Sequence, residues 1–204
     1  MNITKIVSNL LDSNVYVLEK DGEIILVDCG VEFERVEKFI SGKKVLAVLL
    51  THGHNDHCKY CNDYAERLGV KIYANEKIKS TMTDKEAIYS DDGSTINDFS
   101  NFVFLSEDCS LKIGEFTIYC YPCSGHCQCC ECYLIDGNLF AGDVLFERSI
   151  GRIDLKTSNK EEMLSSLNKL EKLDFKTVYS GHGDSTSYEQ QMKNIKVYKR
   201  FLTR

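Results

Sequence analysis

A dense cluster of histidine and aspartate residues follows a short apolar run in the first third of the chain. The run Val-Leu-Ala-Val-Leu-Leu covers 45–50, and the segment 51–57 directly after it reads Thr-His-Gly-His-Asn-Asp-His. An apolar run of this length predicts a buried strand. Imidazole and carboxylate groups are both metal ligands. We therefore expect an α/β fold with a metal site at the edge of a sheet.

The spacing within the cluster indicates a loop and more than one metal. His52 and His54 are two residues apart, a separation that does not bring both side chains to one face of a helix. Gly53 between them gives a loop the necessary conformational freedom. Asp56 and His57 are neighbours whose side chains point in different directions, so they suit a second ion beside the first.

The remaining histidines stand in similar surroundings. His126 and His182 each follow a β-rich run and have a glycine as a neighbour, and Asp143 ends the sequence Phe-Ala-Gly-Asp after another such run. An isolated histidine is most often structural, but all five histidines of this chain lie at predicted strand ends. We therefore interpret the set as metal ligands.

Hydrophobic periodicity predicts many strands with helices between them. Asp-Gly pairs at 21–22 and 136–137 stand between β-rich runs and predict hairpins. Residues 76–101 are polar and are predicted to form a loop or short helices near the mouth of the site. Tyr89 lies either on this loop over the mouth or, as we favour, on the solvated surface. The predicted strands are 14–18, 23–27, 45–50, 71–74, 102–105, 110–113, 116–121, 131–135, 138–141 and 177–179, and the predicted helices are 31–40, 60–68, 159–173 and 188–202.

The two halves of the chain show a weak duplication. A strand ending at Asp28, a helix and a strand ending at His52 are matched by a strand ending at Asp143, a helix and a strand ending at His182. Two such halves predict a four-layer αββα sandwich, with two mixed sheets flanked by helices. We expect a single domain over 1–204.

The composition limits the classes of partner. The formal net charge of −6 argues against nucleic acid. No apolar run approaches the roughly 20 residues of a membrane span, and residues 1–5 lack the apolar core of a signal peptide. We therefore expect no membrane association and a cytoplasmic location, where the ten cysteines are reduced.

The ligand motifs resemble those of the metallo-β-lactamase superfamily. The matching motifs are Thr-His-Gly-His-Asn-Asp-His at 51–57, Gly-His at 125–126, Phe-Ala-Gly-Asp at 140–143 and Gly-His-Gly at 181–183. The stretches 142–146 and 151–155 resemble the glyoxalase II-type (hydroxyacylglutathione hydrolase) branch. Only 183–204 follow His182, so the chain resembles the short form without the helical extension that helps bind glutathione, and another thiol carrier is an alternative.

Carried over to this chain, the resemblance implies seven ligands for two divalent metal ions. The first set, for one metal, is His52, His54 and His126, and the second set, for the other, is Asp56, His57 and His182. Asp143 bridges the two metals. Zinc is the preferred metal because it is a redox-silent Lewis acid, with iron and manganese as alternatives. The sequence leaves the oligomeric state open.

The implied reaction is hydrolysis of a small-molecule thioester or ester, with S-lactoylglutathione-like compounds as the leading class. A metal-bridging hydroxide attacks the carbonyl. One metal polarises that carbonyl and the other receives the leaving group. Asp56 is the predicted catalytic residue, because it also orients the nucleophile.

Three further residues are predicted to support the site. Asp28 either orients a ligand histidine from behind or caps the next helix. Arg152 either meets an anionic part of the substrate or, as we favour, pairs with a neighbouring carboxylate. Cys127 follows a predicted ligand within the cysteine-rich stretch 123–132; we favour small buried thiols there, with a redox role, an extra metal or an iron–sulfur cluster as alternatives.

Other functions remain open at this point. A persulfide dioxygenase with one iron shares the fold and several motifs of the superfamily. A lactonase or another ester hydrolase would use the same metals on an oxygen ester. The cysteine-rich stretch also suggests a non-enzymatic metal-binding or redox-sensing protein.

Overall fold

The computed structural model describes residues 1–203 and contains two six-stranded sheets. The strands of the first sheet lie side by side in chain order: β1 (Asn2–Val7), β2 (Asn14–Lys20), β3 (Glu23–Val27), β4 (Lys44–Leu49), β5 (Lys71–Asn75) and β6 (Phe102–Leu105). The strands of the second sheet also follow chain order: β7 (Cys109–Ile113), β8 (Phe116–Pro122), β9 (Glu131–Ile135), β10 (Asn138–Gly142), β11 (Thr177–Ser180) and β12 (Thr186–Ser187). Each sheet combines parallel and antiparallel pairs.

The described residues form helices outside the sheets and at one edge of them. They are α1 (Phe33–Ile40), α2 (Asn55–Cys58), α3 (Cys61–Leu68), α4 (Ile78–Met82), α5 (Lys160–Leu170) and α6 (Tyr188–Leu202). Helix α3 packs on β4 and β5, and α6 packs on β11, β12 and α5. Within residues 1–203, no helix combines the length and the apolar character that crossing a membrane requires.

The layers follow from alternation along the strands. In β2, Tyr16 and Leu18 belong to the core between the sheets, which also contains Phe140 of β10. Their neighbours Val15 and Val17 point to the opposite face and belong to the core that contains the residues of the outer helices. Successive strand residues face opposite sides of a sheet, so one strand contributes to both cores. The predicted αββα sandwich of two mixed sheets is confirmed.

The predicted duplication is present in the topology. Strands β3 and β4 are parallel neighbours joined through α1, and β10 and β11 are parallel neighbours joined through α5. Both predicted hairpins are also present. Asp21 and Gly22 have φ of 51° and 81°, and Asp136 and Gly137 have φ of 49° and 77°, the pair of positive angles that the type I′ turn requires.

Three short elements were missed by the sequence prediction. Strand β1 buries only Ile6, so its apolar alternation is weak, and it forms by pairing with β2. Strand β12 has two residues and α2 has four, which is too short for any periodicity to show. The metal loop therefore contains a helical turn where only a loop was expected.

A buried carboxyl group links the two sheets. Glu131 at the start of β9 is fully buried, and its Oε2 accepts a hydrogen bond of 3.0 Å from Nδ2 of Asn75 at the end of β5. Its other oxygen has no hydrogen-bond partner among the described residues. Burial raises the pKa of Glu131 from 4.5 to about 8.

The Glu131→Gln variant is expected to lose part of the pH dependence of stability. Because the folded-state pKa is raised, the folded protein keeps a proton that the unfolded chain releases, and the free energy of unfolding falls as the pH rises from 4.5 to about 8. Glutamine cannot ionise, so the variant should gain on the order of 3 kcal/mol over the wild type between pH 5 and pH 8. Urea unfolding at several pH values measures this difference. Glu66→Gln on the exposed face of α3 is the control, and an unchanged pH profile in Glu131→Gln would contradict the prediction.

Candidate metal centre

The predicted ligands come from strand ends at one edge of the sandwich. The chain leaves β4 through a loop that carries His52 and His54 and enters α2, which carries Asp56 and His57. The other ligands follow strands of the second sheet: His126 lies between β8 and β9, Asp143 directly after β10, and His182 after β11.

The structure brings all seven predicted ligands together. Their ligand atoms form three groups, within each of which all atoms lie within 4.8 Å of one another: His52, His54 and His126; His52, His57 and Asp143; and Asp56, His57 and His182. The first and last groups are the two sets that the resemblance implies, and Asp143 lies between them. The residues are buried except Asp56 and His182, which are partly exposed.

Hydrogen bonds orient most of the imidazole rings in the same way. The Nδ1 atoms of His126 and His182 donate to the carbonyl oxygens of Arg152 (3.2 Å) and Leu11 (2.9 Å), and Nδ1 of His57 donates to the carboxylate of Asp28 (2.9 Å). A ring that donates from Nδ1 keeps the lone pair of Nε2 for a metal.

The rings of His52 and His54 differ in their orientation. His52 Nδ1 lies 3.1 Å from Oγ1 of Thr51, which donates its own proton to Asp28. His54 is turned the other way, because its Nδ1 lies 3.1 Å from His126 Nε2. All five imidazoles thus present a nitrogen to the centre.

Several atoms of the centre lack any partner that the protein provides. Nε2 of His52 and Oδ1 of Asp143 are buried without a hydrogen bond among residues 1–203. A Cβ atom on Gly181 would lie 2.0 Å from Oδ1 of Asp143 and 2.8 Å from Cε1 of His57. Only glycine therefore lets the chain after β11 lie this close to the two ligands. Buried polar atoms normally have partners. The residues therefore fit a pair of divalent cations, which would accept these lone pairs.

The charges of the two sets differ. Burial, with the neighbouring histidines, lowers the pKa of His52 well below its ordinary value and that of His54 to about 3, so both rings are neutral, as metal ligation requires. For His182, burial opposes protonation, but hydrogen bonds to Asp143 and Asp56 outweigh it and raise the pKa to about 9. Both carboxylates have lowered pKa values, because the charges of the histidines outweigh the effect of burial. In the absence of metal, the second set thus carries protons at positions that a bound cation would occupy.

Asp28 lies behind the second set. Its carboxylate is buried and accepts hydrogen bonds from the backbone nitrogen of Thr51 (2.7 Å), from Thr51 Oγ1 (2.8 Å) and from His57 Nδ1 (2.9 Å). Its φ of 63° places it in the left-handed region. Asp28 thus contacts His57 of the second set directly. Through Thr51, which also contacts His52, it is connected to the first set.

The Asp28→Asn variant is expected to bind the second metal about 10- to 100-fold more weakly, because the partners that orient ligand histidines contribute this much to metal affinity. Asparagine keeps the size and tolerates a positive φ, but its NH₂ group cannot accept from the donors that surround Asp28. Titration against a competing chelator measures the affinity. Asp21→Asn, at an exposed hairpin position with φ of 51°, is the matched control, and equal affinities in the two variants would contradict this role of Asp28.

Arg152 contacts the centre through its backbone only. Its carbonyl oxygen accepts from His126 Nδ1, while its guanidinium is largely exposed and forms two hydrogen bonds of 2.9 and 3.0 Å with the carboxylate of Asp154. The favoured ion pair is therefore present. Arg152 is also among the residues that line the cavity over the centre, and a contact of its side chain with substrate stays a prediction.

Cys127 is fully buried next to His126, and its Sγ lies 3.3 Å from Sγ of Cys129 and 3.4 Å from Sγ of Cys130. Among the hydrogen bonds of residues 1–203, none joins this thiol to a predicted ligand. The ten cysteines are free thiols, and nine of them are buried. A contribution of Cys127 to the metal centre stays a prediction.

A cavity of about 170 Å³ opens over the ligands. Its walls include three residues that the sequence did not assign to the site, namely Leu11, Tyr89 and Leu155. They lie in separate loops. Leu155 ends the stretch 151–155, whereas Leu11 and Tyr89 belong to no motif. Tyr89 is exposed, as expected, but its ring also packs against His54 at the mouth, with the ring centroids 5.2 Å apart.

Two other cavities are larger. One of about 300 Å³ adjoins the other side of His182, with Phe146 and Arg148 in its walls. The other, of about 610 Å³, lies between α1, the start of β4 and the end of α3 and contains no predicted ligand. We assign the reaction to the smaller cavity over the ligands, because the chemistry of the ligands, and not cavity volume, defines a metal site.

Known proteins resemble the chain in sequence and in fold. The family model of the metallo-beta-lactamase superfamily matches residues 8–182. The probable metallo-hydrolase YqgX of Bacillus subtilis (strain 168) is 32% identical over 184 residues, which is 86% of this chain and 87% of that protein.

Two solved structures show the same fold. The crystal structure of BLEG-1 B3 metallo-beta-lactamase has a TM-score of 0.87 and 29% identity, with both chains covered completely. The structure of TTHA1623 in a di-iron-bound form has a TM-score of 0.76 and 24% identity, and the match covers 93% of this chain and 96% of the other. The ligand geometry, the family model and these relatives agree: the chain belongs to the metallo-β-lactamase superfamily.

Proposed function

We propose that this protein is a dinuclear metal-dependent hydrolase of thioesters, with S-lactoylglutathione-like compounds as the leading substrate class. The observation that carries the proposal is the convergence of seven side chains on two ligand sets with Asp143 between them. Such a pair of divalent cations, when bound, supplies a nucleophile from water near neutral pH and polarises the carbonyl group.

The protein groups around the cations have their own tasks. Oδ2 of Asp56 lies 3.2 Å from Nε2 of His182 and 3.3 Å from Nε2 of His57, and its side chain is partly exposed to the cavity. A carboxylate in this position can accept a hydrogen bond from water and so orient the water for attack. Leu11, Tyr89 and Leu155 give the cavity its apolar wall residues.

Thioesters are proposed because of the stretch Gly151-Arg152-Ile153-Asp154-Leu155, which resembles the glyoxalase II-type branch. Zinc is the proposed metal, although the structure of TTHA1623 is described as di-iron-bound, so that iron is the first alternative. We further propose small-molecule substrates and a cytoplasmic location. The free thiols of all ten cysteines fit a reducing compartment.

Elemental analysis and a substrate panel test the proposal. The purified protein should contain two metal ions per chain. After loading with zinc it should hydrolyse at least one of a panel of acyl thioesters faster than the matching oxygen esters and lactones. Two bound metals without turnover of any thioester would reject the thioesterase assignment. One iron per chain with sulfite production from persulfides would replace it with a dioxygenase.

A further inference from the structure

Tyr89 closes one side of the cavity over the metal ligands. Its ring meets the ring of His54 edge to face, with the centroids 5.2 Å apart and the planes at 84°. The side chain is 42% exposed, so one part of the ring borders the cavity and another part borders solvent. No other aromatic ring contacts His54 among the described residues, apart from those of His52 and His126.

Two anchors hold this ring in place. The hydroxyl oxygen of Tyr89 accepts a hydrogen bond of 2.8 Å from the backbone nitrogen of Lys156. On the other side, the preceding residue Ile88 is fully buried, and its carbonyl oxygen accepts a hydrogen bond of 2.8 Å from the backbone nitrogen of Asn55. Since Asn55 precedes the ligand Asp56, the tyrosine is tied to the metal loop itself.

Ion pairs strengthen the connection to Lys156. Nζ of Lys156 lies 2.8 Å from carboxylate oxygens of both Asp84 and Glu86. The segment 84–89 and the segment 152–156 are therefore fastened together at the mouth of the cavity. Tyr89 has a φ of 55°, in the left-handed region.

The size of the cavity limits what fits beneath the ring. Its volume is about 170 Å³, and a cavity of about 150 Å³ accommodates a molecule as large as benzene. The walls from Leu11, Leu155 and the Tyr89 ring are apolar. Bound metal ions would take part of this space, so an acyl group of fewer than about six heavy atoms fills the rest, and a longer chain meets the tyrosine ring.

We propose that Tyr89 determines substrate specificity by limiting the length of the acyl group, so that the enzyme prefers short acyl thioesters. This inference rests on the proposed thioester hydrolysis. The acyl chain lies between Leu11, Leu155 and Tyr89, and the larger open cavity on the other side of His182 receives the thiol part of the substrate.

The test compares straight-chain acyl thioesters of N-acetylcysteamine, from acetyl to octanoyl, with the zinc-loaded full chain. Tyr89→Ala removes the ring but keeps a Cβ at the same φ. The ratio of kcat/KM for the octanoyl thioester to kcat/KM for the butyryl thioester should rise at least about tenfold in this variant. Apolar pockets discriminate by this much for each methylene or two. Tyr89→Trp narrows the cavity and should shift the same ratio in the opposite direction. Tyr119→Ala, on the exposed side of β8, should leave the ratio unchanged.

Binding of the product carboxylates, from acetate to octanoate, provides a second readout that does not depend on turnover. Calorimetric affinities should show the same change of chain-length preference in Tyr89→Ala. If the wild type hydrolyses no thioester but Tyr89→Ala changes the preference among carboxylates, the proposed function fails and the role of Tyr89 stands. If neither ratio changes in Tyr89→Ala, or if Phe146→Ala changes it instead, the role of Tyr89 is wrong.

Discussion

The Asp143→Asn variant is expected to lose at least about 10³-fold in kcat and to retain at most one metal, because the loss of a shared carboxylate removes several kcal/mol of charge stabilisation. In the wild type, Oδ1 of Asp143 lies 3.4 Å from Nε2 of His57. Oδ2 of Asp143 lies 3.5 Å from Nε2 of His126 and 3.4 Å from Nε2 of His182. One carboxylate thus faces both ligand sets. Asparagine has the same shape but no charge, and its NH₂ group would point at a cation.

The kinetic constant is measured on the best thioester, and the metal content is measured by elemental analysis of the same samples. Asp63→Asn is the control, since Asp63 on α3 pairs with Arg67 at the surface and should keep both metals and full activity. Two metals per chain with unchanged kcat in Asp143→Asn would show that this carboxylate does not bridge them.

Removal of the metals with a chelator is expected to lower the melting temperature by at least about 15 °C. A metal present at 1,000 times its Kd adds about 4 kcal/mol to the free energy of unfolding, and two ions add twice that. In a chain of this length, 1 kcal/mol corresponds to about 2–4 °C. Without cations, the buried imidazoles and carboxylates have only each other as charge partners, and Nε2 of His52 and Oδ1 of Asp143 have no hydrogen-bond partner among residues 1–203.

Thermal unfolding followed by circular dichroism, before chelation, after chelation and after addition of zinc, measures this effect. Zinc should restore the original melting temperature. The Asp143→Asn protein should show a smaller shift, because it binds fewer ions at the start. A chelated wild type that melts at the same temperature as the metal-loaded protein would mean that the seven residues do not bind metal tightly.

The sequence predicted the sandwich correctly, and the structure brings the predicted ligands together, for a physical reason. Buried parallel strands such as β4 are short apolar runs, and the residues at their ends are polar because they meet solvent or a ligand at the sheet edge. The two Asp-Gly hairpins were equally clear, since few residues adopt two consecutive positive φ angles. The elements that were missed, β1 above all, form through pairing with a neighbour and carry little apolar pattern of their own.

Which residues of the loops complete the walls of the cavity was decided by the tertiary structure. Tyr89 belongs to a polar segment with no motif, and it reaches His54 only because Asn55 and Lys156, which lie far from each other in the chain, both hold it. The same holds for Leu11, whose carbonyl oxygen accepts from His182 across 171 residues.

The sequence by itself determined which atoms can bind metal, because histidine and aspartate side chains carry their ligand chemistry wherever the fold places them. It also determined the alternation that builds two sheets with a shared core. Only the tertiary structure decided how the imidazoles are oriented, which loops border the reacting centre and how much space they leave. Those properties depend on contacts between residues far apart in the chain, and no local pattern encodes such contacts.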